Sequence, residues 1–266
     1  MCFLLGVEKE YLFTHPEKTI SQKTWRAFIE LLEKRKKKTP IAYLVQKKSF
    51  FGLEFFIDER VLIPRTETEL LVEAALIELT PQTTLMDIGT GSGCVQIALV
   101  KNSKKNIQTF ATDISKDALA VAMKNAATHH VETITFLCGD LLLPFLDTPS
   151  LLHHKTLLIT ANLPYLSLKR MISAPKDVRA FEPKLALFGG FRGLQTINRF
   201  LKQAIHLQEK LPKSNITLIL ELDPQQPKII EKTINLHVSD RSVLKDYSGK
   251  NRVLILKMKN KMYTEK

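Results

Sequence analysis

The sequence predicts an α/β protein: a doubly wound, mostly parallel sheet with a C-terminal antiparallel hairpin, plus a small N-terminal helical domain and a linking β-hairpin. Three observations predict it. Five short apolar runs each end in or beside Gly, Asp or Asn: "TLMDIG", "IQTFATD", "TITFLCGD", "TLLITAN" and "ITLILELD". Helical patterns separate most of them, and near-continuous apolar strands alternating with helices need cover on both faces. Finally, "RSVLKDYSGKNRVLILKMK" carries a turn, "YSGKN", between two strand-like runs, which reads as an antiparallel hairpin.

Each element follows from its local pattern. In residues 21–38, Trp25, Phe28, Ile29 and Leu32 recur at helical spacing, which predicts an amphipathic helix. "SFFGLEFFIDERVLI" contains two aromatic, β-branched runs, the first broken at Gly52, as in a hairpin or bulged strand pair. "PRTETELLVEAALIEL" places Pro64 near a helix start with acids in the first turn, so a helix is expected over about residues 66–79. "CVQIALVKN", "SKDALAVAMKNAATHH" and "GLQTINRFLKQAIHLQEKL" supply the helices between later strands. The resulting division is a helical domain over 1–46, a linking hairpin over 47–65 and an α/β domain over 66–266.

Composition narrows the classes. At 266 residues and 44% hydrophobic, the chain can bury one large core, or a core with a small appended domain. No apolar run approaches the ~20 residues of a membrane span, and "MCFLLG" is too short and lacks the basic flank of a signal segment. A soluble cytoplasmic protein without membrane contact is expected. Cys2, Cys94 and Cys138 lie far apart with no CxxC, which argues against a disulfide framework or a zinc site. Neighbouring histidines at 129–130 and 153–154 would point to different helix faces and suit solvated ends better than a metal. A net charge of +12 suggests an acidic partner or nucleic acid. The basic run "EKRKKK" reads more simply as a solvated helix end favourable to the dipole.

"MDIGTGSGC" sets Gly89, Thr90, Gly91, Ser92 and Gly93 between a strand and a helix, where a ligand can approach the backbone closely. A dinucleotide fingerprint would need Gly at 94, and the residue is Cys94, expected as a small packing residue. Asp113 ends the second strand, where its carboxylate can accept from both ribose hydroxyls of a nucleoside; the bland alternative, a helix cap, can be filled by Ser115. Asp140 ends the third strand and can take an exocyclic adenine amine, with Leu141 packing on the ring. Asn162 ends the fourth. Ligands in open parallel sheets sit at carboxyl ends of strands, and four polar strand ends in consecutive strands make a site.

With "DIGTGSGC", "ATD", "CGD" and "NLPY" in this order, the chain resembles class I S-adenosylmethionine-dependent methyltransferases, which implies a seven-stranded sheet and that cofactor. "KRKKKTPIAYL", "FFGLEFFIDERVLIPRTETELLV", "FEPKLALFGGFRGL", "LILELDPQQ" and "LKDYSGKNR" narrow the resemblance to the HemK/PrmC family, which methylates the side-chain amide of the glutamine in the Gly-Gly-Gln loop of peptide chain release factors. The resemblance runs over about residues 30–257, and "VLIPRTETE" joined to "DIGTGSGC" is highly specific to it. It implies a release factor as protein partner, no direct nucleic-acid contact, and a monomer. It also implies that Arg65 and Glu67 line the cofactor or substrate cleft, against the plainer readings of a surface ion pair for Arg65 and helix capping for Glu67. Glu182 and Glu221 match family positions with no chemistry assigned. There are departures: Asn-Pro-Pro-Tyr of the family is Asn162-Leu163-Pro164-Tyr165 here, Arg192 stands where an acid is usual, and the N-terminal domain is shorter by about a helix.

An amide nitrogen is a poor nucleophile because its lone pair is delocalised. A site helps by accepting hydrogen bonds from both N–H groups as positive charge builds, and by orienting the nitrogen in line with the methyl. Asn162 offers its side-chain oxygen, residue 163 its main-chain carbonyl, Tyr165 a ring face, and Pro164 stiffness. Leu163 has a carbonyl as Pro does and changes only the fixed φ and the missing N–H, so the chemistry is expected to survive. Alternatively, "NLPY" is a turn in which Asn162 bonds its own backbone. Two other functions compete: an adenine N6-methyltransferase acting on ribosomal RNA or DNA, whose relatives carry Asn-Leu-Pro-Tyr too, and a catalytically silent cofactor-binding protein. The position of the glycine loop, with about eighty residues before it, favours the protein substrate.

Overall fold

The computed structural model describes residues 1–103, 107–152 and 155–260; the histidines at 153–154 lie outside them. Four helices open the chain: α1 (Cys2–Leu5), α2 (Lys9–Thr14), α3 (Gln22–Lys36) and α4 (Ile41–Val45). Ser21 caps α3 by accepting from Thr24 N, the local signal a helix start needs. The face carrying Trp25, Ile29 and Leu32 stays exposed, so the amphipathic pattern forms the helix without being buried by this chain.

The linking hairpin is shorter than its sequence suggests. Strands β1 (Lys47–Phe50) and β2 (Leu53–Phe56) pair antiparallel around Phe51 and Gly52, but the second apolar run forms no strand. Val61 and Ile63 are buried, and side chains take part of their backbone: the Tyr43 hydroxyl donates to Val61 O, and Ile63 N to Glu182 Oε2, while Val61 N donates to Asp58 O in a turn. Apolar content set their burial, and tertiary partners replaced the ladder. The expected helix over 66–79 opens as a 3-10 turn at Thr66–Thr68 and continues as α5 (Glu69–Glu78).

The large sheet contains β3 (Thr83–Ile88), β4 (Gln108–Asp113), β5 (Ile134–Cys138), β6 (Thr156–Ala161), β7 (Asn215–Glu221), β8 (Val238–Lys245) and β9 (Asn251–Met258). Their spatial order is β5-β4-β3-β6-β7-β9-β8. The first five are parallel, and the β8–β9 hairpin adds antiparallel to β7. Between strands run α6 (Cys94–Ser103), α7 (Lys116–Thr128), α8 (Leu143–Asp147), α9 (Leu168–Ser173), α10 (Lys176–Phe181), α11 (Lys184–Leu187), α12 (Gln195–Lys210) and α13 (Pro227–Ile234). The doubly wound expectation holds.

Period-two alternation sends neighbouring strand residues into separate cores. Leu85, Ala111 and Leu158 pack with α5, α6, α7 and the hairpin residues Phe50 and Phe55. Met86, Phe110 and Ile159 pack on the other face with Phe145, Phe200 and Ile230 of α8, α12 and α13. No helix among the described residues is long and apolar enough to cross a membrane. Strand order reverses between β3 and β6, and a crevice opens at such a point beyond the carboxyl ends.

Candidate active site

Gly89, Gly91 and Gly93 all hold left-handed φ, at 74°, 55° and 79°. At Gly93 a Cβ would also stand 3.1 Å from Ala122 Cβ, so the glycine lets α7 approach the start of α6. Gly89 N and Thr90 N both donate to Thr112 O of β4, at 2.8 and 2.9 Å. Beneath the loop lies Asp87, whose two oxygens accept from the hydroxyls of Thr90 (2.6 Å) and Thr160 (2.8 Å). Burial pushes the Asp87 carboxyl up to about 6, and the two hydroxyls oppose it. Asn125 of α7 holds the loop from outside: Nδ2 donates to Ser92 O and Phe56 O, and Oδ1 accepts from Phe56 N. That clamp ties the linking hairpin to the glycine loop and was invisible in the sequence, since Asn125 sits in an unremarkable helical pattern.

Asp113 does more than end β4. Oδ2 accepts from Gly91 N and Oδ1 from Ser115 N, both at 2.9 Å, while Ser115 itself caps α7, as expected. Burial raises the Asp113 carboxyl above the usual range, against those backbone donors. Cys94 is buried and its thiol is pushed up to about 12 by burial, so it packs and does not react. Leu141 is buried at φ 58°, a strained setting for a bulky residue. Its carbonyl accepts from Thr112 Oγ1. Asp140 is not left open for a ligand alone: Oδ1 takes Arg199 Nη2 at 2.7 Å.

Gly89, Thr90, Gly91, Ser92, Asp113, Asp140 and Leu141 line one cleft of about 210 Å³, with Ile114, Leu163 and Pro164 among its apolar walls; Gly93 lies outside that lining and serves the approach of α7. A second cavity of about 390 Å³ lies beside it, lined by Tyr165, Arg170, Pro175 and Glu221. Asn162, Arg65, Leu62 and Ala186 line both. Asn162 therefore stands at the wall between the two spaces. Its Nδ2 donates to Thr68 Oγ1 at 3.2 Å, and no hydrogen bond among the described residues reaches its Oδ1. The self-bonded turn alternative for Asn162 does not form.

Leu163 is buried, with Cδ2 at 3.1 Å from where a Gly89 Cβ would stand. Its side chain thus fills space under the glycine loop, a role in addition to that of its carbonyl. Tyr165 donates from its hydroxyl to Glu221 Oε1 at 3.3 Å, and burial raises its phenol. The "GGFRGL" segment packs on the backbone of this loop. A Cβ on Gly189 would collide with Pro164 O, and one on Gly193 with Tyr165 O, while Gln226 Nε2 donates to Tyr165 O and Gly193 O.

The two residues of "PRTETE" part company. Arg65 faces the cavities and pairs Nη2 with Glu182 Oε1 at 2.5 Å; the Glu182 side chain is only 1% exposed, so this is no surface pair. Glu67 is exposed and lines neither cavity. Thr68, one residue on, is the member of that turn that points inward. Exposed strings of T and E give no signal for which one the turn buries.

A nucleoside with a sulfonium fits the first cleft. Asp113 supplies hydrogen-bond acceptors, Ile114 and Leu141 supply apolar faces, and the open side of Gly91, where a Cβ would meet nothing within 4 Å, admits close backbone approach.

Residues 1–45 match the family described as PrmC N-terminal domain, and residues 79–156 match a methyltransferase domain. The chain is 36% identical to a release factor glutamine methyltransferase of Leptospira interrogans, over 95% of this chain and 87% of the relative. It is 32% identical to one of Thermodesulfovibrio yellowstonii, over 96% of this chain and 89% of that one. Among solved structures, the hMettl16 catalytic domain in complex with an RNA hairpin superposes with a TM-score of 0.55 at 15% identity, covering 85% of this chain and 79% of that one, a likeness of fold alone.

Proposed function

The chain belongs to the release factor glutamine methyltransferase family, and from that premise we propose how its residues divide the work. The enzyme transfers a methyl group from S-adenosylmethionine to the side-chain amide nitrogen of a release factor glutamine, that of the Gly-Gly-Gln loop. The cofactor supplies an electrophilic methyl on a sulfonium. Gly89, Thr90, Gly91 and Ser92 line its tail, Asp113 accepts from its ribose hydroxyls, and Asp140 with Leu141 meets its base. The glutamine enters through the second cavity.

The observation that carries this reading is Asn162 at the shared wall, with Nδ2 tied inward and Oδ1 free. There Asn162 Oδ1 and the Leu163 carbonyl accept the two N–H bonds of the substrate amide as positive charge builds on its nitrogen. Pro164 stiffens the loop and Tyr165 walls the substrate side. Arg65, held by Glu182, lines the passage between the spaces, whereas Glu67 is left to the turn surface. Residues 1–46 are assigned to release factor recognition, 47–65 to the link and 66–266 to methyl transfer. A monomer working in the cytoplasm, where its substrate acts, without direct nucleic-acid contact, completes the reading.

Mass spectrometry of a co-expressed release factor tests it: one added methyl is expected on the glutamine of the Gly-Gly-Gln loop. With labelled cofactor, label in ribosomal RNA and none in the release factor would replace this reading by the adenine N6 alternative.

A further inference from the structure

The polar side chains lining the substrate cavity are Arg65, Asn162, Tyr165, Arg170, Ser173 and Glu221. Most of their donors are already engaged. Asn162 Nδ2 goes to Thr68 Oγ1, the Tyr165 hydroxyl to Glu221 Oε1, the Ser173 hydroxyl to Arg170 O, and Arg65 Nη2 to Glu182 Oε1. Arg170 differs from the rest. It lines this cavity and not the cofactor cleft, and its side chain is half exposed. Its guanidinium has one partner among the described residues, Asp223, through an ion pair of Nη1 with Oδ2.

Asp223 is a fixed anchor for that pair. Its side chain is 8% exposed; its Oδ1 accepts from Gln225 N, and its own N–H donates to Gln226 Oε1. Gln226 in turn holds Tyr165 O and Gly193 O, so the anchor belongs to the turn that supports the Asn162–Tyr165 loop. At the start of α9, Ser167 Oγ accepts from Arg170 N, which fixes the backbone the side chain springs from. A guanidinium carries five N–H donors in a planar fork and accepts nothing. With Nη1 turned to Asp223, the edge formed by Nε and Nη2 stays open.

The substrate glutamine follows two glycines. Glycine has no side chain to read, so that pair can be recognised only by the space it fills and by its peptide groups. A residue that only donates takes the carbonyls. We propose that Arg170 binds main-chain carbonyl oxygens of the glycine pair, with Asp223 as the positioning residue that aims the guanidinium. The proposal rests on the reading of the second cavity as the entry for the Gly-Gly-Gln loop. It differs from a purely structural ion pair, for which any cation at position 170 would serve.

Steady-state kinetics of the full chain with intact release factor test it, together with calorimetric titration of S-adenosylmethionine and thermal melting. Arg170→Met keeps the stem and deletes every donor, so KM for the release factor should rise about tenfold or more. Turnover should stay within about threefold and cofactor Kd within about twofold, since a contact remote from the reacting nitrogen binds ground and transition states alike. Arg170→Met leaves Asp223 without its cation; Arg170→Met/Asp223→Asn removes that unpaired charge, and its KM should match the single variant. Arg170→Lys keeps the ion pair as a point charge and loses the fork. Its KM should stay raised by about fivefold while its melting temperature stays that of wild type. Wild-type KM in Arg170→Lys or in the double variant would reduce the pair to a structural tie and overturn the proposal; if Arg170→Met does not fold, these two decide. Salt separates carbonyls from a carboxylate on the release factor. The KM ratio of Arg170→Met, or of the double variant, to wild type should hold within about twofold as ionic strength rises, and a ratio collapsing toward one would overturn the carbonyl assignment. Methylated release factor with an unaffected Arg170→Met removes this proposal alone, whereas no methylation by wild type removes the function reading with it.

Discussion

Two loops at neighbouring strand ends build the site, and they are held in different ways. The glycine loop after β3 is fastened mainly by its own strand neighbours: Thr112 O takes two of its N–H groups, and Asp87 and Asp113 from β3 and β4 take Thr90 Oγ1 and Gly91 N. The Asn162–Tyr165 loop after β6 is fastened by residues distant in sequence: Thr68, Gly189, Gly193, Glu221 and Gln226. The first region shapes a cleft by backbone conformation. The second aims a few polar atoms by contacts that form only once the chain is folded. Cofactor affinity should therefore follow the first loop and turnover the second.

The largest effect tests that division directly. Asn162→Ala deletes a preorganised acceptor, and such losses cost on the order of 10²–10³ in turnover. Cofactor affinity, measured by calorimetry, should fall far less, since the lost bond matters most in the transition state. Equal losses in both quantities would erase the distinction between the loops.

Next comes Asp113→Ala, expected to weaken cofactor binding by ~1.5–3 kcal/mol, the scale of a hydrogen bond to a charged group. Gly91 N and Ser115 N lose their acceptor too, so the melting temperature should drop as well. The wild-type protein carries a pH signature of the same group. Ribose hydroxyls need the ionised carboxylate, so affinity is full above the Asp113 pKa and declines below it. Burial has raised that pKa, so the decline should begin at higher pH than the ~3.9 of an ordinary aspartate. Asp113→Asn should abolish that pH-dependent component.

Gly89 is where the two loops touch. Gly89→Ala combines a φ of 74° with a Cβ 3.1 Å from Leu163 Cδ2. Left-handed backbone alone costs a non-glycine residue roughly 1–2 kcal/mol. Denaturant titration should show at least that loss, and adding Leu163→Ala should not recover it, because the strain lies in the backbone.

The smallest effect concerns Leu163→Pro. The carbonyl survives, so turnover should stay within about tenfold, or roughly 1.4 kcal/mol in the barrier. The buried isobutyl group is lost, so stability should suffer more than rate. Turnover abolished by Leu163→Pro but retained in Asn162→Ala would mean the amide is not held at this loop.

Much of this was legible in residue order. Strand-helix alternation, the glycine spacing, Ser115 as a cap and the polar strand ends all reflect local patterns whose physics acts over a few residues. Val61 and Ile63 misled, because burial and strand pairing share an apolar signature. Glu67 and Thr68 could not be told apart, since a turn's inward face depends on what packs against it.

By itself, then, the sequence determined the α/β architecture, the glycine loop with its left-handed positions and the strand-end placing of Asp113, Asp140 and Asn162. Those features depend on periodicity and backbone sterics. Only the tertiary structure decided that Asn125 clamps the hairpin to the loop, that Leu163 fills the space under Gly89, that Arg199 holds Asp140, and that Asn162 leans on Thr68. Hydrogen bonds between side chains far apart in sequence leave no periodic trace, because each needs a partner's position in space and not its distance along the chain.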